Sequence, residues 1–116
     1  VNSPSRDELI ADVKNGVMID GRGSYSIDQQ RYNGQFGGHM FWEIKNGKIT
    51  RMVTDVTYNA ITTDFWGNLD AVGNQSTFKM FGTGGDAKGQ PTQTQNISHG
   101  APACRIRKLM LGGAFQ

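Results

Sequence analysis

Residues 39 to 58 constrain this chain more than any other stretch. His39 to Lys45 alternates with period two, Asn46-Gly47 follows, and Ile49 to Tyr58 continues as a return strand. Asn-Gly is the favoured pair for a two-residue type I′ turn, because both central residues of that turn need positive φ. The pattern predicts a β-hairpin, within a hairpin region spanning residues 36–58. Placing Lys45 opposite Lys48 sets its register. Ile44 then faces Ile49, Trp42 faces Arg51 and Met40 faces Val53, with the guanidinium lying on the indole. On the other face Phe41 meets Met52, while His39 and Glu43 meet Thr54 and Thr50. A slip of one residue would mix these sets.

Around the hairpin the expected elements are short. Ser5 and Glu8 have capping-box spacing and Asn15-Gly16 supplies a left-handed stop, which predicts a helix over 5–15 with Leu9, Ile10 and Val13 on one face. Val17-Met18-Ile19 reads as a strand, and residues 20 to 24 as a turn-rich link. Thr63-Asp64 caps a second short helix through Phe65, Trp66 and Leu69, ending near Gly73-Asn74. Residues 76–81 read as a strand, 82–100 as a Gly-rich loop and 103–111 as the last strand. The expected fold is mainly β, with antiparallel sheets in a sandwich-like arrangement, a short N-terminal helix and one further short helix. At 116 residues the chain fits a single domain, 1–116, with one core. It begins at Val1 without a methionine, which suggests a processed product or an excised piece.

Reactive side chains are few. Twelve basic and ten acidic residues leave a net charge of +2 with mixed signs, a balance that calls for no nucleic-acid partner. A single cysteine, Cys104, forms no internal disulfide, which fits a cytoplasmic origin. No apolar run has the length of a membrane span. His39 and His99 are the only imidazoles, and neither an HExxH pair nor a GxSxG elbow is present. His39 reads as a polar residue on a half-exposed strand face, and Cys104 as a buried, inert thiol beside Ile106.

The stretch Gly82 to Pro91 has the glycines and the lysine, Lys88, of an anion nest but lacks Walker spacing. Ser98 and His99 are adjacent in the chain and so point apart. Asp86 is free either to shape a turn or to reach a metal. Arg105 and Arg107, beside Lys108, form either a solvated face or a contact for an anion. With no convergent catalytic set in view, the expectation is that the chain is not a complete enzyme, and that 82–100 is one wall of a site whose other wall lies elsewhere.

Several segments, taken in order, carry a resemblance. They are Asp7-Glu8-Leu9-Ile10 through Val17, Phe36-Gly37-Gly38, Glu43 to Lys48, and Tyr58-Asn59-Ala60-Ile61-Thr62 with Phe65-Trp66. Lys88-Gly89-Gln90-Pro91 with Ser98-His99-Gly100 completes the set. Together they resemble the C-terminal domain of the TldD/PmbA metallopeptidase family, also called the modulator of DNA gyrase family. The resemblance implies a mostly β domain of a bacterial or archaeal cytoplasmic protein that uses zinc to cleave peptides. Two histidines and a glutamate of that family lie on an HExxxH helix, which this sequence does not contain. The third protein ligand is a cysteine in the C-terminal Gly-rich loop. Aligning on Lys88-Gly89-Gln90-Pro91 puts Asp86 at that cysteine, and aligning on the longer loop variant puts Gly85 there.

On this reading Asp86 is the candidate metal ligand, Lys88, Gln90 and His99 border the substrate, and Arg105 and Arg107 contact an anion. Zinc belongs to the full-length protein, and this chain alone binds none and is inactive. Its partners are another domain of the same protein or a TldD/PmbA-type partner subunit, together with a peptide substrate. The alternative is a non-catalytic partner subunit or a peptide-binding interaction module.

Overall fold

The computed structural model describes residues 3–21 and 23–112. Helix α1 (Arg6–Ala11) starts where the capping box predicts: Glu8 N–H donates to Ser5 Oγ at 3.4 Å, and the Ser5 hydroxyl lies 3.2 Å from Glu8 Oε1. It is shorter than the 5–15 expected from the sequence. Val13 and Lys14 lie beyond its end, and their carbonyls accept from Gly47 N–H and Asn46 N–H, each at 2.7 Å. Asn15-Gly16 is therefore no helix stop but the first two rungs of strand β1 (Asn15–Asp20).

Strands β2 (Tyr25–Ile27) and β3 (Asn33–Gly37) come next, followed by the expected hairpin of β4 (Met40–Lys45) and β5 (Lys48–Val53). Its turn is as read: Asn46 and Gly47 both have positive φ, 51° and 77°. A Cβ on Gly47 would lie 2.4 Å from the Ala11 carbonyl oxygen, so glycine is needed both for the turn and for the close approach of α1.

Lys45↔Lys48 and Ile44↔Ile49 pair as expected, but a bulge at Thr50 then shifts the register by one. Glu43 now faces Arg51, Trp42 faces Met52 and Phe41 faces Val53, which corrects the expected stacking of Arg51 on Trp42. Arg51 Nη2 instead pairs with Glu43 Oε2 at 3.2 Å, and the Thr50 hydroxyl donates to Glu43 Oε1 at 2.9 Å. The bulge has a packing reason, because it turns Val53 to the side of Phe41.

The return strand also ends at Val53 rather than Tyr58. Asp55 takes φ 56°, Val56 is 1% exposed, and the chain re-enters a different sheet as β6 (Thr57–Ile61). The 36–58 region is thus divided between two sheets. Helix α2 (Thr62–Gly67) starts one residue earlier than expected, without a side-chain cap, and is tied down by Thr62 N–H to the Tyr32 carbonyl at 2.7 Å. It also stops sooner, because β7 (Leu69–Val72) claims the residues assigned to its second half.

After a 3-10 turn at Gln75–Thr77 come β8 (Lys79–Lys88) and β9 (Gln93–Ala101). The expected loop 82–100 is mostly this long hairpin, with only residues 89–92 between its strands. The expected last strand 103–111 is likewise two pieces, β10 (Cys104–Ile106) and β11 (Met110–Gly112), separated by Lys108 at φ 54°. Cys104 is exposed, not buried as expected.

Pairing is antiparallel throughout. The sheets are β1-β4-β5, β11-β6-β3-β2, β7 with β10, and β8 with β9. The mainly β fold with two short helices is as expected. Phe41, Val53 and Val56 form the core cluster, with Val17, Ile19 and Leu111 packed against it. Leu111 belongs to the four-stranded sheet and the strand residues of the cluster to the three-stranded one, so this core lies where the two sheets meet. Beside it Phe36, Tyr58 and Phe65 stack at 5.3 and 6.3 Å, and burial pushes the Tyr58 phenol up from its ordinary pKa.

Two outcomes follow from this packing. Phe41→Ala should cost about 3–5 kcal/mol in urea denaturation, through lost burial and the cavity left behind. The second concerns acid. The Asp70 carboxyl is held below the usual range, chiefly by a hydrogen bond from Arg107 and then by Arg105, and Glu43 is held down chiefly by Thr50 and then Arg51. Both bind a proton less readily folded than unfolded, so their stabilisation is complete above an unfolded pKa of about 4 and is lost as pH falls through the lower folded values. Thermal melts should therefore drop in midpoint below about pH 4, and Asp70→Asn should flatten that dependence.

Candidate functional site

The β8–β9 hairpin carries most of the side chains singled out for chemistry. It pairs with no other strand among the described residues, and most of its positions are exposed. At its base Lys79 Nζ lies 3.7 Å from Asp20 Oδ2, a tie to β1. The rungs run Lys79↔Ala101, Phe81↔His99 and Thr83↔Ile97, then shift across Gly84 and Gly85 before resuming at Asp86↔Gln95 and Lys88↔Gln93.

The irregularity is what gives the hairpin a site. Gly85 has φ 68° and its N–H donates to Asn96 Oδ1 at 2.9 Å, which fixes the bulge. Asp86 then points so that Oδ1 accepts from Ala87 N–H at 3.1 Å, while Oδ2 lies 3.6 Å from His99 Nε2. The two side chains are each 48% exposed. The imidazole sits beside the Phe81 ring, centroids 6.1 Å apart and planes tilted by 38°. Asp86 and His99 are thus brought together although 13 positions separate them in the sequence.

Lys88 ends β8, and Gln90 stands in the tip, where Gly89 takes φ 95° and the Thr92 hydroxyl donates to the Gly89 carbonyl at 3.3 Å. Both are exposed on the same hairpin. Ser98 lies on the rung with Gly82, one step from His99 and on the opposite face, so the two do not form a nucleophile and base.

Arg105 and Arg107 converge elsewhere, on Asp70. Arg105 Nε donates to Asp70 Oδ2 at 2.7 Å and its Nη1 to the Leu9 carbonyl at 3.0 Å, with Asp12 at 3.6 Å. Arg107 Nη2 holds the other Asp70 oxygen at 3.0 Å. Arg105 therefore ties the end of α1 to β7 and β10, with its Nε and Nη1 donors engaged within the chain. Arg107 remains largely exposed beyond its ion pair. His39 leads into β4, its N–H donating to the Asp20 carbonyl at 2.9 Å.

An open cleft of about 750 Å³ lies apart from the carboxylate and imidazole, among Asn33, Gln35, Asn59, Phe65, Arg107 and Met110. It gathers carboxamides and apolar side chains but neither histidine.

Sequence reasoning missed three contributors. Asn96 pins the bulge, Phe81 braces His99, and Asp70 gathers the arginines. Only the strand pairing reveals the first two, and nothing local to Asp70 marks its partners.

Comparison with known proteins bears on this arrangement. The family described as PmbA/TldA metallopeptidase C-terminal domain matches residues 2–113. A protein named metalloprotease, from Methanothermobacter thermautotrophicus, is 33% identical over 109 residues, which cover 94% of this chain and 23% of that protein. The chain spans about a quarter of that relative's length.

The bulge can be tested directly. Nothing lies within 4 Å of where a Gly85 Cβ would stand, so Gly85→Ala should cost about 1–2 kcal/mol in urea denaturation through the backbone alone. Gly82, equally open but without positive φ, should tolerate alanine within about 0.5 kcal/mol.

Proposed function

This chain belongs to the family of PmbA/TldA metallopeptidase C-terminal domains, and from that premise we propose that its β8–β9 hairpin is one wall of a metallopeptidase active site completed by another segment of the parent protein. The observation that carries this reading is the Asp86–His99 pair, held half-exposed on a hairpin that pairs with no other strand among the described residues. An HExxxH helix is the segment proposed to complete the site, with zinc as the metal.

The donor types suit such an ion, since zinc accepts both imidazole nitrogen and carboxylate oxygen. Their number does not complete a site: among the described residues no group of three or more His, Cys, Asp or Glu side chains is placed to hold a metal. When bound, the ion supplies Lewis-acid polarisation of a peptide carbonyl. The chain's own residues orient and bind. Lys88 and Gln90 at the hairpin tip donate to carbonyl oxygens of an extended peptide, and Asp86 and His99 face the reacting end.

A second reading has its own support, since the resemblance puts Asp86, or Gly85 on the longer-loop alignment, where the family's thiolate is expected. On that reading the parent is a non-catalytic partner subunit of the same family. Among the described residues no helix is long and apolar enough to cross a membrane, and with one cysteine and no disulfide the cytoplasm is the compartment we propose.

A peptidase assay with added zinc should show no turnover above background for this chain alone, and activity should require the full-length parent. Turnover by the isolated chain would overturn the proposal. An inactive, correctly folded parent whose zinc stoichiometry is unchanged by Asp86→Ala would establish the second reading.

A further inference from the structure

We propose that the outer face of the three-stranded sheet, centred on Trp42, seats an amphipathic helix from another part of the parent polypeptide. The inference rests on the reading of this chain as one portion of a longer protein, and adds the surface by which another portion is joined to it.

The sheet is apolar on both sides. Val17, Ile19, Phe41 and Val53 turn into the core, so their strand neighbours Met18, Trp42 and Met52 point the opposite way. Met18 pairs with Trp42 and Trp42 with Met52, which lays these side chains in one row across β1, β4 and β5. Met40 flanks the row on β4, and Ile49, the rung partner of Ile44, stands on the same side. An antiparallel sheet with one face in water alternates apolar with polar residues. This one does not, so its second face is built to be covered.

Helix α1 covers only part of that face. Arg6 Nη2 donates to Met18 Sδ at 3.4 Å, and a Cβ on Gly16, the rung partner of Ile44, would meet Val13 Cγ1 at 2.7 Å. Leu9 and Ile44 are buried there. The six residues of α1 make about 9 Å of helix, against about 20 Å for the six residues of β4. Met52, Met40 and Ile49 are left 60%, 44% and 43% exposed.

Size selects the occupant. With strands about 4.8 Å apart the row spans about 10 Å, the width of one helix. At these exposures the patch offers on the order of 400 Å², about half of the roughly 800 Å² that each partner buries in a stable complex. A second copy of the chain, binding from free solution, would lack area. A helix tethered in the same polypeptide does not, because the tether supplies a high effective concentration. The composition suits it as well: methionine and tryptophan are favoured at interface centres, where methionine adapts to the side chains of a helix.

The test places the photo-crosslinker p-benzoylphenylalanine at Met52 in the full-length parent. Irradiation should link that position, within one polypeptide, to a segment outside residues 1–116 that carries apolar residues at i, i+3 and i+4. A link between two copies, a link to a segment without that spacing, or no link would overturn the proposal. Peroxide oxidation of the unaltered proteins gives a second reading. Met40 and Met52 should oxidise more slowly in the parent than in this chain by about tenfold or more, the ratio set by about 1.4 kcal/mol of docking, with the chain's amide spectrum showing its sheets intact. Equal rates would count against the seat.

This inference and the divided active site fail separately. If removal of β8–β9 abolishes the parent's peptidase activity while position 52 stays unlinked, the active-site wall stands and the helix seat falls. If the intrachain link forms but this chain alone is an active peptidase, the seat stands and the divided active site falls.

Discussion

The contact among Phe41, Val53 and Val56, with Leu111 closing from the other sheet, is where the architecture is decided. A sheet with one apolar face has to bury it, and in a chain of this size the two larger sheets bury theirs against each other. To do so the chain leaves the first hairpin at Asp55 and enters the second sheet at Thr57, with Val56 sealed between. The Thr50 bulge belongs to the same event. Without the extra residue, Val53 would project from the wrong face of β5, and the cluster would lose a member.

That small core leaves the β8–β9 hairpin outside it. Almost every position along its two strands is exposed, and what orders it is its own ladder, the Lys79–Asp20 tie at its base and the packing of Phe78 and Met80 around Gly100. A long two-stranded ribbon is marginal by itself in water. It is therefore a suitable element to be completed by other protein, and the proposed role as one wall of a divided site agrees with that economy of contacts. The Arg105 network serves a different purpose, binding α1 to the small β7–β10 sheet.

Parts of this were legible in the sequence because their causes are local. Ser5 and Glu8 cap the first helix across one turn of backbone, and Asn46-Gly47 makes a turn whose dihedral angles those two residues favour. The first two rungs, Lys45 with Lys48 and Ile44 with Ile49, follow from that turn. Register beyond them was misread, because the bulge answers to Val56 and Leu111 rather than to the alternation of β5. The Gly, Thr, Gln and Asn of residues 82–100 were read as a loop for a related reason. Strands solvated on both faces need no apolar alternation, so composition conceals them.

The candidate site divides the same way. Sequence pointed to Asp86, Lys88, Gln90 and His99 as one region, but it could not pair Asp86 with His99, because a bulge and two strands intervene. By itself the sequence determined a mainly β chain, a capped first helix, the Asn46-Gly47 hairpin and a Gly-rich stretch holding the reactive side chains. These depend on backbone preference and near-neighbour chemistry. Only the tertiary structure decided where strands end, which face Val53 takes, that Arg105 is committed to Asp70, and that a carboxylate and an imidazole meet across β8 and β9. Those outcomes depend on which distant surfaces pack together, and no local pattern encodes that choice.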